Sequence, residues 1–179
     1  MIAAGGNAMS GITDNPQKTG AFHVHSVYSI FDSAASPDEI VARAKELGYH
    51  SVSLTDHGTL LGIEPFMDAG RKYGVNTVPG VEAYLPGRTH LILIAKNYEG
   101  FQAISYAMRD ANRTIERAGK RMLFPIMQEE TLEKYFRGNP NVLASSACIR
   151  GPLGKILLEK FRAEKKAGMA MAEKESLQD

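Results

Sequence analysis

Between Ala21 and Pro37 the chain reads AFHVHSVYSIFDSAASP. The alternation over Phe22–Ser26 predicts a strand, and strand side chains take opposite faces in turn. His23 and His25 then share one face, while Phe22 and Val24 share the other and pack under helices. Two imidazoles two residues apart on a strand are placed to hold one metal ion, because unprotonated ring nitrogens are good ligands for zinc, manganese or iron. Taken alone, such a pair is more simply two polar residues on an exposed strand. Asp32 adds a carboxylate seven residues after His25. Ser36-Pro37-Asp38-Glu39 then marks a helix start, with Ser36 as N-cap, Pro37 at the first helical position and Glu39 placed for a capping box. The stretch thus reads as a strand with ligand-type side chains running into a helix.

The rest of the chain repeats that unit. The first helix ends at Gly48 with Ile40, Ala44 and Leu47 as its apolar face and Val41 at the margin. SVSLTDHG (51–58) is a second strand, and LLGIEPFMDAGRKYG (60–74) a helix bent or begun at Pro65 and stopped by Gly74. VNTVPGVEAYL (75–85) is a third strand interrupted at Pro79-Gly80, and THLILIAKN (89–97) a fourth. One long helix is expected over 98–119, another over 128–138, a fifth strand over 141–148 and a last helix over 151–175. The alternation predicts an α/β fold with a mostly parallel sheet. A doubly wound sheet and a (β/α) barrel both fit. No glycine-rich nucleotide fingerprint is present, which counts against the nucleotide-binding version.

The polar residues fall where such folds place their sites, at the C-terminal ends of strands and in the loops that follow. Asp32, His57, Glu82 and Cys148 stand there, whereas His90 opens its strand. His50 lies on the opposite rim and reads as a surface residue. Asp56 reads as a carboxylate that orients an imidazole rather than as a ligand. Cys148 is either a small buried apolar residue or a ligand.

At 179 residues the chain suits one domain, and its net charge of +1 lacks the overall basic balance of a nucleic-acid binder. One cysteine excludes a disulfide framework and fits a reducing, cytoplasmic setting. The longest apolar run, Leu91–Ala95, is far too short to span a bilayer. Residues 1–20 are expected to form a flexible leader, 21–165 the domain, and 166–179 a charged, frayed tail.

Five blocks in order, FHVHSVYSIFD, SLTDHGTLLG, VPGVEAY, HLILIAKNYEGF and VLASSACIRGPLG, closely resemble the PHP (polymerase and histidinol phosphatase) domain. The type is the one at the N-terminus of the bacterial replicative DNA polymerase III alpha subunit. The resemblance implies a distorted, TIM-like (β/α)7 barrel with up to three divalent metal ions at the strand ends. It implies either metal-dependent phosphoesterase activity, including 3′–5′ exonuclease proofreading, or an inactive structural domain. Position by position, His23, His25, Asp32, His57, Glu82, His90 and Cys148 match metal ligands, with Glu82 bridging two ions. The chain departs from the family at the end. The closing Asp-x-His motif is missing, no histidine follows His90, and the barrel is expected to be incomplete at its C-terminus.

Arg109, Arg113 and Arg117 recur at four-residue steps on the expected long helix, with Lys120 and Arg121 beyond. Such a stripe can follow a nucleic-acid backbone. It is more simply a solvated helix face, with Asp110 and Glu116 nearby. Three readings stay open: a phosphoesterase acting on nucleic acid, a non-catalytic metal-stabilised docking module of a polymerase, and a fragment completed by a missing segment, another chain or a second copy through an open sheet edge. None of them includes polymerisation by this chain alone.

Overall fold

The computed structural model describes residues 19–30, 32–113, 115–118, 122–148 and 151–176. Most of the expected leader, the last three residues, Lys120 and Arg121 lie outside them. In chain order the elements are β1 (Gly20–Ala21), α1 (Pro37–Glu46), β2 (Ser51–Leu54), α2 (Ile63–Tyr73), β3 (Asn76–Leu85), β4 (Thr89–Ala95), α3 (Tyr98–Ala111), β5 (Ile115–Ala118), β6 (Met122–Pro125), α4 (Glu129–Phe136), β7 (Val142–Ser145) and α5 (Pro152–Ser176). The fold is α/β, as the alternation predicts. Its main sheet has the order β1-β2-β3-β4-β7, and β5 pairs with β6 apart from it. Among the described residues the sheet is an open arc, with β1 and β7 at its edges.

The sheet is mixed rather than mostly parallel. β1, β2 and β3 run parallel, whereas β3–β4 and β4–β7 are antiparallel. A parallel crossover takes a dozen or more residues. Only Pro86–Arg88 separate Leu85 from Thr89, so the chain can only double back, in the register Leu85↔Thr89. Pro79 does not break β3. It precedes the first β4 pair, Gly80↔Ile94, so its missing N–H leaves no ladder bond unmade on that side.

The helices cover one face of the sheet. Val41 and Ala44 of α1 and Ile63, Phe66 and Ala69 of α2 bury Val52 and Leu54. Ile104, Ala107, Met108 and Ala111 of α3 bury Val81, Ala83 and Leu85 of β3 and Leu93 and Ala95 of β4. Because strand residues alternate, this packing puts Glu82, Tyr84 and His90 on the opposite face. The α1 start forms as expected: Ser36 Oγ accepts from the Glu39 N–H, and the Glu39 carboxylate accepts from the Ser36 N–H. The apolar face of α1 is rotated from the expected one. Val41 is fully buried, and Leu47, at the helix C-cap, is half-exposed.

Two further expectations are corrected. The strand predicted over Phe22–Ser26 forms ladder pairs only at Gly20–Ala21, and Phe22 is half-exposed rather than packed. The helix expected over 98–119 stops at Ala111. There the Asn112 N–H and side-chain amide both donate to the Met108 carbonyl. The β-branched Ile115 favours extended backbone, and 115–118 pairs antiparallel with 122–125.

Candidate metal centre

Three local arrangements bring the ligand-type residues together. The first clamps Val24 to the end of β2. The Val24 carbonyl accepts from the Thr55 N–H at 2.8 Å and from Thr55 Oγ1 at 3.2 Å, and Thr55 Oγ1 accepts from the Val24 N–H at 3.1 Å. Val24 packs against the α1–α2 core, which turns His23 and His25 toward the other side. Their shared face is therefore as predicted, although the ladder is interrupted. The second arrangement is a bridge between His57 and Glu82 just beyond β2. The Glu82 N–H donates to the Asp56 carbonyl, and the Gly58 N–H donates to the Glu82 carbonyl. Gly58 turns the chain away at φ +59°, a conformation that favours glycine. The third is the β3–β4 hairpin, which sets His90 opposite Tyr84. Reversal of β4 explains why a residue at the start of its strand reaches the same rim as residues at the ends of parallel strands.

Glu82, 1% exposed, is the centre. Its Oε2 lies 3.0 Å from His23 Nε2, 3.1 Å from His25 Nε2 and 3.3 Å from His57 Nδ1, and its Oε1 lies 2.8 Å from His90 Nδ1. Asp32 Oδ2 is 2.9 Å from His57 Nε2 and 3.8 Å from His25 Nε2. The rings of His25 and His57 stack at 4.3 Å, and Tyr84 stacks on His57 and meets His90 edge-on.

The electrostatics follow from this crowding. Burial pushes the Glu82 carboxyl up, but hydrogen bonds with His25, His90 and His23 outweigh it and hold the group well below the usual carboxylate range. Burial also disfavours the charged form of His25, yet its contact with Glu82 and the nearby Asp32 raise it overall. For His57 burial wins, helped by the charges of His25 and His90, and its proton affinity falls.

The donor set fits divalent metal. Three groups, His23–His25–Glu82, His25–Asp32–His57 and His57–Glu82–His90, each have their ligand atoms within 4.8 Å of one another. His57 Nδ1 is buried without a hydrogen-bond partner and faces a carboxylate oxygen, a place that suits a cation. Imidazole nitrogen with carboxylate oxygen is the chemistry of zinc, manganese and iron sites. A neutral imidazole offers one lone pair, so each histidine serves one ion, while the two oxygens of Glu82 can serve two. His57 can join Glu82 and His90 through Nδ1, or Asp32 through Nε2, but not both.

The remaining sequence-predicted residues fall elsewhere. Asp56, 1% exposed, touches none of the imidazoles; it accepts from the Ser26 N–H, Ser26 Oγ and Ser29 Oγ. Cys148 is exposed on the loop after β7, at the rim where β4 begins, but outside the three groups. His50 is exposed on the far rim, where its N–H donates to the Thr19 carbonyl. No helical arginine stripe forms. Arg109 lies on α3 paired with Asp110, Arg113 in the turn beyond, and Arg117 in β5. Sequence reasoning missed Ser26, Ser29 and Tyr84. The first two had a signal, as hydroxyls repeated inside the apolar opening stretch.

The PHP domain family matches residues 21–177. The DNA polymerase III subunit alpha of Borreliella burgdorferi is 32% identical over 156 residues, covering 76% of this chain and 12% of that protein. An error-prone DNA polymerase of Cutibacterium acnes is 30% identical over 164 residues, covering 86% of this chain and 13% of that protein. The chain therefore spans about an eighth of the length of these curated relatives. Among solved structures, a candidate metal-dependent phosphoesterase from Bifidobacterium adolescentis is similar at TM-score 0.41 and 23% identity, over 55% of this chain and 36% of that one. With its motifs matched along nearly the whole described chain, and their histidines and carboxylates converging on one face, this chain belongs to the PHP domain family.

Proposed function

We propose that this chain is a metal-dependent phosphoesterase module acting on nucleic acid, of the 3′–5′ exonuclease type associated with replication. The observation that carries the reading is the convergence of four histidines and Asp32 around the buried Glu82 in three overlapping ligand groups. The names of the two relatives given above, both polymerases, support nucleic acid over a small phosphate ester. His23, His25 and Glu82 would hold one divalent ion, and His57, Glu82 and His90 a second. A third ion beside Asp32 would take His25 or His57 from the others. Such ions supply Lewis-acid chemistry, activating water and neutralising charge on the phosphoryl oxygens. The chain's own part is to fix the ligands. The hairpin and the bridge at His57 hold the Glu82 backbone between the histidines, so that its carboxylate is positioned before any ion binds. Asp32, half-exposed, is the ligand nearest solvent and so stands where a phosphate would enter. The test is hydrolysis of a 5′-labelled single-stranded DNA and of a small aryl phosphate in zinc or manganese. The reading expects shortening of the DNA from its 3′ end and loss of that activity with His25→Ala. Unchanged hydrolysis by that variant would refute it.

A second reading, a docking module within a larger polymerase chain, is favoured by an exposed apolar row on α5. Leu153, Ile156, Leu157 and Phe161 are each more than half exposed, at helical spacing on one side. It predicts self-association of the isolated chain, seen as a mass in solution that rises with concentration. A monomer mass at every concentration would count against it.

A further inference from the structure

We propose that Ser29, held by Asp56, is a positioning residue that decides which nitrogen of His25 faces the metal centre. The inference rests on the metal-binding reading above. Ser29 is 1% exposed and lies behind the His25 ring. A serine hydroxyl has one proton to give and two lone pairs to receive with. The proton goes to Asp56, whose Oδ1 is 2.7 Å away. Asp56 is also the acceptor for the Ser26 N–H at 2.6 Å and the Ser26 hydroxyl at 2.7 Å, and three donors on one carboxylate leave it acting as acceptor only. With its proton committed, the Ser29 oxygen can only accept from its other neighbours. One is the His57 N–H at 3.0 Å, and the other is His25 Nδ1 at 3.3 Å.

The second contact is attractive only if His25 carries its proton on Nδ1. That choice leaves the lone pair on Nε2, the nitrogen 3.0 Å from His23 Nε2 and 3.1 Å from Glu82 Oε2. The serine therefore selects the tautomer in which His25 can ligate an ion together with His23 and Glu82. The opposite tautomer would aim a proton into the centre and leave the Ser29 lone pair facing that of Nδ1. The same hydroxyl anchors the backbone of His57, so one side chain sets two ligand residues. Asp56 acts one step further back, by keeping the Ser29 proton away from His25. This is the orienting role expected of Asp56 from the sequence, exerted through an intermediary the sequence reading missed. Partners behind a metal-ligating histidine commonly fix its tautomer, and losing them costs about 10- to 100-fold in metal affinity.

The test uses the full chain, labelled with ¹⁵N at histidine and titrated with zinc. In the zinc-saturated wild type, long-range ¹H–¹⁵N correlations are expected to show the His25 proton on Nδ1 and the zinc-shifted nitrogen as Nε2. A proton on His25 Nε2 overturns the proposal without any variant. Ser29→Ala is then expected to bind zinc about 10- to 100-fold more weakly in competition with a chromophoric chelator, and to exchange its His25 Nδ1 proton faster with water. Equal affinity together with an unchanged His25 signal overturns it. If the wild type takes up no zinc, the titration itself shows that the metal reading has failed, and the positioning role falls with it. Zinc uptake by the wild type with an indifferent Ser29→Ala refutes the positioning role alone.

Discussion

Replacing Glu82 by glutamine keeps the shape of the side chain and removes its charge. The two oxygens of Glu82 face different histidines: Oε2 toward His23, His25 and His57, and Oε1 toward His90. Glu82→Gln therefore removes a ligand from two ions at once. A four-ligand zinc site is worth about 10–16 kcal/mol, so one ligand accounts for about 3 kcal/mol, or about 100-fold in affinity at each ion. The amide adds a second penalty, because one end now points N–H donors at imidazole lone pairs. Zinc competition against a chromophoric chelator reads both sites directly, and the expected curve loses its two tight steps together. If only one step weakened, Glu82 would not be a bridge. If neither moved by more than about threefold, the assignment of Glu82 as the centre would be wrong.

Other consequences are independent of activity. Phe66 is fully buried where α2 meets α1 and β2, so Phe66→Ala should cost about 3–5 kcal/mol in denaturant unfolding of the metal-free chain. A loss under about 1 kcal/mol would mean that this core is not packed as described. The acid limb of stability should depend on Glu82. Its folded carboxyl sits below the ordinary value of 4.5, so its contribution is complete above that pH and is lost as the pH falls further. Melting temperatures of the metal-free chain should drop below about pH 4.5 and do so less steeply in Glu82→Gln, and parallel slopes for the two chains would contradict the linkage.

Much of the site was legible because strand periodicity is simple. His23 and His25 share a face whether or not the ladder is complete, since the Thr55 clamp on Val24 holds the segment extended. His57 follows β2 and bridges to Glu82 within the adjacent parallel β3, so the two meet. His90 was harder to place, because its membership depends on the direction of β4. The three residues of the β3–β4 turn carried that information, but a five-strand pattern of α/β type masked it. The arginine stripe failed for a different reason. Helical spacing of Arg109, Arg113 and Arg117 assumed that the helix continued, while the helix stops at Ala111, Asn112 caps it, and Ile115–Ala118 pairs as a strand. Ser29 escaped notice because its role is a matter of hydrogen-bond direction, set by Asp56 from a distant strand end. The family resemblance supplied the ligand identities, and the geometry then drew a distinction it had not. Six of the seven matched positions converge, while Cys148 stays exposed at the rim.

The central claim is that one buried carboxylate organises a metal centre in this chain. Elemental mass spectrometry of the purified chain, saturated with zinc and then dialysed without chelator, tests it most directly. The account predicts two retained ions per chain, falling to fewer than one in Glu82→Gln. A wild-type chain that retains none would contradict it.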